Sequence, residues 1–313
     1  MARTILVYAR GGAEHYAEAV RRAVPTAVVR AASDPAAARA AVPDAEILLS
    51  WRLPHELYAL AARLRWVQCL GAGVEDIVAA AELPRSVAVT RIVDQFGVSI
   101  AEYVFAELLA RVRDLERVRA QQAERLWRPF VAERLAGRTL GVAGLGSIGR
   151  EVVRKGRAFD MRVLGLSRTA APDGLVDRHF GPDAWTAFVR ELDYLVLVLP
   201  LTPQTRGVVG AEVLAAMRPG SVLVNVGRGA VVDEAALVEA LRAGRPGGAV
   251  LDVFETEPLP PESPLWSLPG VTVSPHISGP SRTDEVAAFF LDNLARFERG
   301  EPLAGLVERE RGY

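Results

Sequence analysis

Short runs of β-branched and leucine residues alternate with alanine- and leucine-rich stretches along the whole chain, and a chain patterned in this way folds as βαβ units on parallel sheets. One series begins with Thr4-Ile5-Leu6-Val7-Tyr8 and the helical stretch Ala13 to Val24. It runs through Ala27-Val28-Val29, Ile47-Leu48-Leu49 and Trp66-Val67-Gln68-Cys69-Leu70, and closes near Val87-Ala88-Val89-Thr90. A second series starts at Thr139-Leu140-Gly141-Val142-Ala143. It continues through Val163 to Leu166, Tyr194 to Leu199, Val222 to Val226, Ala249-Val250-Leu251 and Val271-Thr272-Val273. Two such series, in 313 residues of which 50% are hydrophobic, predict an α/β protein of two domains.

Between the series lies Ser99 to Leu126, where Ile100, Val104, Leu108, Val112 and Leu115 recur at helical intervals and Ser99 and Glu102 have the spacing of a capping box. The pattern predicts one long amphipathic helix that stops near Pro129. So long a helix suits a connector or a surface that packs on a second copy of the chain, which predicts a homodimer. The final stretch, Thr283 to Arg299, carries Val286, Phe289, Phe290, Leu294 and Phe297 on one side and is expected to return to the first domain. The expected boundaries are 1–97 with 283–313 for the first domain and 98–282 for the second.

The formal net charge is −1 with both signs interspersed, so no face is committed to nucleic acid or to an anionic membrane. The apolar runs are too short for a signal-peptide core or a membrane span, which predicts a cytoplasmic protein. Cys69 is the single cysteine, which excludes an intramolecular disulfide and a cysteine-based metal cluster. The acids near His15, His55 and His179 form no ligand spacing, so no metal is expected.

Gly144-Leu145-Gly146-Ser147-Ile148-Gly149 stands between a β-branched strand and a helix, the setting in which a glycine fingerprint binds a dinucleotide. Gly144 permits the tight turn, Gly146 lets backbone approach the pyrophosphate, and Gly149 lets helix and strand pack closely, with helix N-terminal amides facing the phosphates. The six candidate strands of this half then make a complete Rossmann sheet. About 20 positions beyond the motif, where NAD sites usually place an acid, the chain has Ser167-Arg168-Thr169. A guanidinium and hydroxyls suit a 2′-phosphate, so NADP is preferred, with NAD possible if Arg168 is merely solvated.

Three further motifs follow strands of the same half: Asn225-Val226-Gly227-Arg228-Gly229, Leu251-Asp252-Val253-Phe254-Glu255-Thr256-Glu257-Pro258 and Ser274-Pro275-His276-Ile277-Ser278-Gly279. They offer a cation, an orienting acid and an acid/base on the edge where a doubly wound sheet binds its ligands. Hydride addition to a 2-keto acid needs that set. A guanidinium holds the carboxylate and polarises the carbonyl, and an imidazolium protonates the new alkoxide while a carboxylate fixes its tautomer.

Over nearly its whole length the chain resembles the D-isomer-specific 2-hydroxyacid dehydrogenases, and within them the glyoxylate/hydroxypyruvate reductase branch. The resemblance implies a Rossmann domain beside a flavodoxin-like substrate domain, and a catalytic triad of Arg228, Glu257 and His276. It implies that Asp252 holds the nicotinamide amide, that Ser147 and Ile148 contact the pyrophosphate, and that Val226 and Gly227 line the nicotinamide side with Ser278 and Gly279 nearby. Leu199 to Thr205 looks like the family's loop beside the cofactor, which brings in Pro200 and Thr205. Gly71-Ala72-Gly73-Val74-Glu75 is similar to the loop whose amides bind the substrate carboxylate, so Ala72, Gly73 and Val74 are expected there with Arg228. Trp51 is a candidate wall of the substrate pocket and Trp266 a second aromatic of interest. The implied activity is reduction of a small 2-keto acid, glyoxylate or hydroxypyruvate first, to a D-2-hydroxy acid, and the reverse. A competing reading is a cofactor-sensing protein like the corepressors of this fold, which would bind dinucleotide with little turnover.

Overall fold

The structure is a computed structural model and describes residues 3–170 and 174–311. Two compact units emerge, one built of Met1–Gln95 with Ser281–Tyr313 and the other of Phe96–Pro280. The last two positions of the C-terminal stretch assigned to the first domain lie outside the described residues.

The first unit holds a five-stranded sheet of β1 (Thr4–Tyr8), β2 (Val28–Ala32), β3 (Ile47–Ser50), β4 (Trp66–Cys69) and β5 (Ala88–Thr90). All pairs are parallel and the order is β2-β1-β3-β4-β5, the flavodoxin-like arrangement. The helix Thr283–Arg299 belongs to this unit, and side chains show why. Trp66 is fully buried and stacks on Phe290 at 5.2 Å and on Phe297 at 5.4 Å between ring centroids. Its Nε1 donates to Thr90 Oγ1 at 2.7 Å, Thr90 donates to Gln68 Oε1 at 2.7 Å, and Asn293 Nδ2 donates to the same Oε1 at 3.2 Å. Asn293 also brackets Ala304, taking its N–H at 2.8 Å and giving to its carbonyl at 2.9 Å. Aromatic burial supplies the attraction and the buried amide chain fixes the register.

The second unit holds β6 (Thr139–Ala143), β7 (Arg162–Leu166), β8 (Arg178–Phe180), β9 (Tyr194–Leu197), β10 (Val222–Asn225), β11 (Gly248–Leu251) and β12 (Val271–Val273). They form one parallel sheet in the order β12-β11-β10-β9-β6-β7-β8. The direction of winding reverses between β6 and β9, and ligands of such sheets bind beyond the carboxyl ends of the strands at that point. Sequence patterning missed β8, an edge strand whose Arg178 and His179 interrupt any apolar run.

The expected single helix from Ser99 to Leu126 is two helices. Gly97–Val112 buries Ile100, Ala101, Val104, Phe105 and Leu108, each large side chain contributing about 1.5–3 kcal/mol, and Phe105 stacks on Phe159 at 5.1 Å. Phe96 precedes its first residue without a side-chain cap, so Ser99 and Glu102 lie inside the helix and form no capping box. The chain then breaks at Asp114, whose φ of 48° is left-handed, and Asp114 caps a second helix, Leu115–Ala123, by accepting from the Arg117 amide at 3.3 Å. That second helix buries no residue, and beyond it Trp127 and Val131 are 94% and 98% exposed. No helix of the described residues is long and apolar enough to cross a membrane.

Candidate active site

Three neighbouring strands, β10, β11 and β12, each deliver one motif at the carboxyl edge of the second unit's sheet. After β10 the Asn225 side chain closes the turn on itself, its Nδ2 donating to the Arg228 carbonyl at 3.0 Å and its Oδ1 accepting from the Gly227 amide at 3.2 Å. Backbone approaches both glycines that flank Arg228: a Cβ at Gly229 would lie 1.8 Å from the Phe254 carbonyl carbon, which excludes any side chain, and one at Gly227 would sit tightly, 3.0 Å from the Leu199 oxygen. Arg228 is half-buried, and its Nη1 donates to the Gly227 carbonyl at 2.7 Å.

After β11, Glu257 folds back so that Oε1 accepts from the Phe254 amide at 3.1 Å while Oε2 meets His276 Nδ1 at 2.9 Å. A carboxylate oxygen only accepts, so Nδ1 carries the hydrogen of this bond and Nε2 stays outside the pairing. Partial burial pushes the Glu257 carboxyl up. The His276 hydrogen bond, the Phe254 amide and the charges of His276 and Arg228 outweigh burial and hold it below the usual carboxylate range. With side chains 49% and 34% exposed, His276 and Glu257 gain little stability from their pairing, so its contribution is orientation.

After β12, His276 sits at φ 53°, a left-handed conformation that costs a residue with a Cβ of the order of 1–2 kcal/mol. Asp252, fully buried, holds this turn: its carbonyl accepts the His276 amide at 2.9 Å, Oδ1 accepts the Ile277 amide at 2.8 Å, and Oδ2 accepts the Ser278 amide at 2.9 Å. What the structure shows Asp252 doing is anchoring the loop of His276. Ser274 Oγ gives Asp252 a fourth bond, donating to Oδ1 at 2.6 Å, and is itself met by the Tyr103 hydroxyl at 2.6 Å. Tyr103, Ser274 and Asn225 were not singled out by sequence reasoning, because their hydrogen bonds hold neighbouring turns together and leave no motif in the sequence.

The glycine fingerprint follows β6. Gly144 sits at φ 100°, open only to glycine, and a Cβ at Gly149 would lie 1.8 Å from the Gly144 oxygen, so the helix Ser147–Ala158 starts hard against the strand. A Cβ at Gly146 would meet nothing within 4 Å. Gly146 and Ser147 are exposed and Ile148 half-buried at the first turn of a twelve-residue helix. This open cradle at a helix N-terminus fits a dinucleotide pyrophosphate. Beyond β7, Ser167 donates to the Thr169 carbonyl at 2.7 Å and meets His179 Nε2 at 2.9 Å, a partner on β8 that sequence reading had set aside. Thr205 spends its hydroxyl within its own loop, donating to the Pro200 carbonyl at 2.7 Å and accepting from the Thr202 amide at 2.8 Å. Val226 and Ser278 are buried, and a Cβ at Gly279 would lie 3.0 Å from Ile100, so these three show packing roles.

In the first unit the Gly71–Val74 turn precedes a short helix, Glu75–Ala79. Trp51, 51% exposed, lays its indole so close that a Cβ at Gly71 would lie 2.6 Å from Nε1, which puts the aromatic beside the turn. Trp266 is 54% exposed and donates to the Pro260 carbonyl at 3.0 Å. Among the described residues no cluster of three or more His, Cys, Asp or Glu could hold a metal ion.

Known proteins share this fold. The family model described as D-isomer specific 2-hydroxyacid dehydrogenase, NAD binding domain, matches residues 105–278. A solved D-isomer specific 2-hydroxyacid dehydrogenase family protein from Aeromonas salmonicida is 37% identical, with 99% of this chain and 100% of that one covered and a TM-score of 0.91. One from Xanthobacter autotrophicus, in complex with NADPH and MES, is 35% identical over 100% of this chain and 99% of its own, with a TM-score of 0.88. An NADPH-dependent glyoxylate/hydroxypyruvate reductase from Sinorhizobium meliloti, in complex with NADP and sulfate, is 32% identical over 100% of both chains, with a TM-score of 0.90. With more than half of its length matched by the family model and relatives of this identity spanning all of it, the chain belongs to the D-isomer specific 2-hydroxyacid dehydrogenases.

Proposed function

We propose that the protein reduces small 2-keto acids, glyoxylate and hydroxypyruvate first among them, to D-2-hydroxy acids with NADPH, and catalyses the reverse oxidation. The observation that carries the reading is the His276 Nδ1 to Glu257 Oε2 bond, which frees Nε2 on the same sheet edge as Arg228. The dinucleotide, when bound, supplies hydride transfer. Gly144, Gly146, Ser147, Ile148 and Gly149 would hold its pyrophosphate, and the loops carrying Pro200, Thr205, Val226, Gly227, Asp252, Ser278 and Gly279 would line its nicotinamide half.

Arg228 binds the keto-acid carboxylate and draws electron density from the carbonyl. His276 Nε2 hands a proton to the carbonyl oxygen as charge develops there, and Glu257 holds the ring in the tautomer that can do so. In the first unit the Ala72-Gly73-Val74 turn is an anion-binding element, with Trp51 as an aromatic wall beside it. Preference for NADP rests on Ser167 and Arg168 in place of the usual acid, and the Sinorhizobium and Xanthobacter relatives solved with NADP or NADPH support it. The exposed helix Leu115–Ala123, with Trp127 and Val131 beyond it, supports a homodimer, and we place the enzyme in the cytoplasm with the nicotinamide pool.

The test follows absorbance at 340 nm with NADPH or NADH and a panel of glyoxylate, hydroxypyruvate, pyruvate, phenylpyruvate and 2-ketoisocaproate. Rapid oxidation of NADPH with a small keto acid is expected. Tight cofactor binding without turnover on any member would replace the reading with a sensor of nicotinamide nucleotide.

A further inference from the structure

The turn that carries His276 is held by more than its own strand. Asp252 receives three hydrogen bonds on its carboxylate, from the Ile277 amide at 2.8 Å, the Ser278 amide at 2.9 Å and Ser274 Oγ at 2.6 Å. The carboxylate only accepts, so the Ser274 hydrogen is committed to Oδ1. Ser274 Oγ therefore has only lone pairs to offer the Tyr103 hydroxyl 2.6 Å away, and Tyr103 must be the donor. Donation converges on the Asp252 carboxylate, from the helix Gly97–Val112 through Tyr103 and Ser274 on one side and from the Ile277 and Ser278 amides of the His276 loop on the other.

Burial makes this chain stiff. Asp252 is 0% and Ser274 8% exposed, so neither exchanges its partner for water at low cost. Burial, with the charges of Asp252 and Glu107, pushes the Tyr103 phenol up to about 12. It remains a proton donor throughout any ordinary assay range. At the other end, His276 is kept at a φ of 53° with its amide on the Asp252 carbonyl at 2.9 Å. A side chain presented from so constrained a backbone is aimed by whatever fixes Asp252.

We propose that Tyr103 is a positioning residue for His276, acting through Ser274 and Asp252. The proposal rests on the reading of His276 as the proton donor. Tyr103 acts on His276 only through Ser274 and Asp252, and its removal loosens the aim of the imidazole.

The test uses the full-length protein with NADPH and glyoxylate as probes. It compares wild type with Tyr103→Phe, Ser274→Ala, Ser274→Thr and the Tyr103→Phe/Ser274→Ala double variant, reading kcat, keto-acid KM, NADPH affinity and Tm. Loss of aim should lower kcat about tenfold in Tyr103→Phe and further in Ser274→Ala, with KM and NADPH affinity changed less than about twofold. The double variant should fall no lower than Ser274→Ala, because a chain cut twice is lost once, and Ser274→Thr should recover most of the rate. Unchanged kcat in both single variants, full additivity, or a loss that tracks NADPH affinity or Tm would overturn the proposal. A second readout needs no turnover: the imidazole NMR resonances of His276 should shift or broaden in Tyr103→Phe, and unperturbed resonances would also overturn it. An inactive wild type whose His276 signals nevertheless respond to Tyr103→Phe would sink the functional reading while leaving the positioning chain in place.

Discussion

His276 Nδ1 lies 2.9 Å from Glu257 Oε2, and the other carboxylate oxygen of Glu257 is already taken by the Phe254 amide at 3.1 Å. The acid that orients the imidazole is thus itself oriented, and Glu257→Gln would keep its shape while losing its charge. We expect Glu257→Gln to lower kcat by about 100-fold and His276→Asn by more, both with NADPH affinity nearly unchanged. The lowered Glu257 carboxyl sets the pH sense. The Glu257 carboxyl is held below its ordinary value of 4.5, so the stability linked to it is fully present above that pH and is lost as pH falls through the lowered value. A pH–rate profile of wild type should place any loss due to Glu257 protonation below pH 4.5; loss from this group above it would contradict the geometry.

Arg228 is presented by a turn that Asn225 closes with two hydrogen bonds. Arg228→Lys keeps a cation but loses the planar fork that pairs with a carboxylate, and Arg228→Ala loses both. Keto-acid KM should rise and kcat fall in both, by about 100-fold or more in kcat/KM for Arg228→Ala. Asn225→Ala should reproduce part of this effect from a residue that touches no substrate. Steady-state kinetics with glyoxylate checks the series, and wild-type parameters in Arg228→Ala would remove it from the site.

Arg168 follows the strand end where Ser167 is tied to Thr169 and His179. Replacing Arg168 by Asp should raise the NADPH KM about 10- to 100-fold, the worth of a hydrogen bond to a charged group, and leave NADH much less affected. Equal losses with both cofactors would mean that the residue supports the loop alone.

Much of this was legible in the sequence because buried parallel strands write themselves as continuous apolar runs, and because glycines at close approaches admit no substitute. The Gly-Arg-Gly turn and the fingerprint are both of this kind: Gly229 packs on Phe254 and Gly149 on Gly144. What escaped reading is equally physical. Leu115 continues the helical spacing of Val112 across the break, so periodicity hides the left-handed Asp114 that separates two helices. β8 is a three-residue edge strand of polar character, invisible to a pattern of apolar residues. The Tyr103–Ser274 contact spans 171 positions, and no local pattern encodes it.

The final prediction separates two glycines that the fingerprint treats alike. A Cβ at Gly149 would stand 1.8 Å from the Gly144 oxygen, so Gly149→Ala must push the helix Ser147–Ala158 off its strand. At Gly146 the φ of −72° suits any residue and a Cβ meets nothing within 4 Å of the protein. Gly149→Ala should therefore lower thermal stability, by about 1–3 kcal/mol as overpacking does, and weaken NADPH binding as a consequence. Gly146→Ala should leave Tm unchanged and still weaken NADPH, because the space its methyl fills is the approach reserved for the pyrophosphate. Thermal melts with and without NADPH distinguish the two. Full NADPH stabilisation of Gly146→Ala would mean that the cofactor backbone does not pass over that residue.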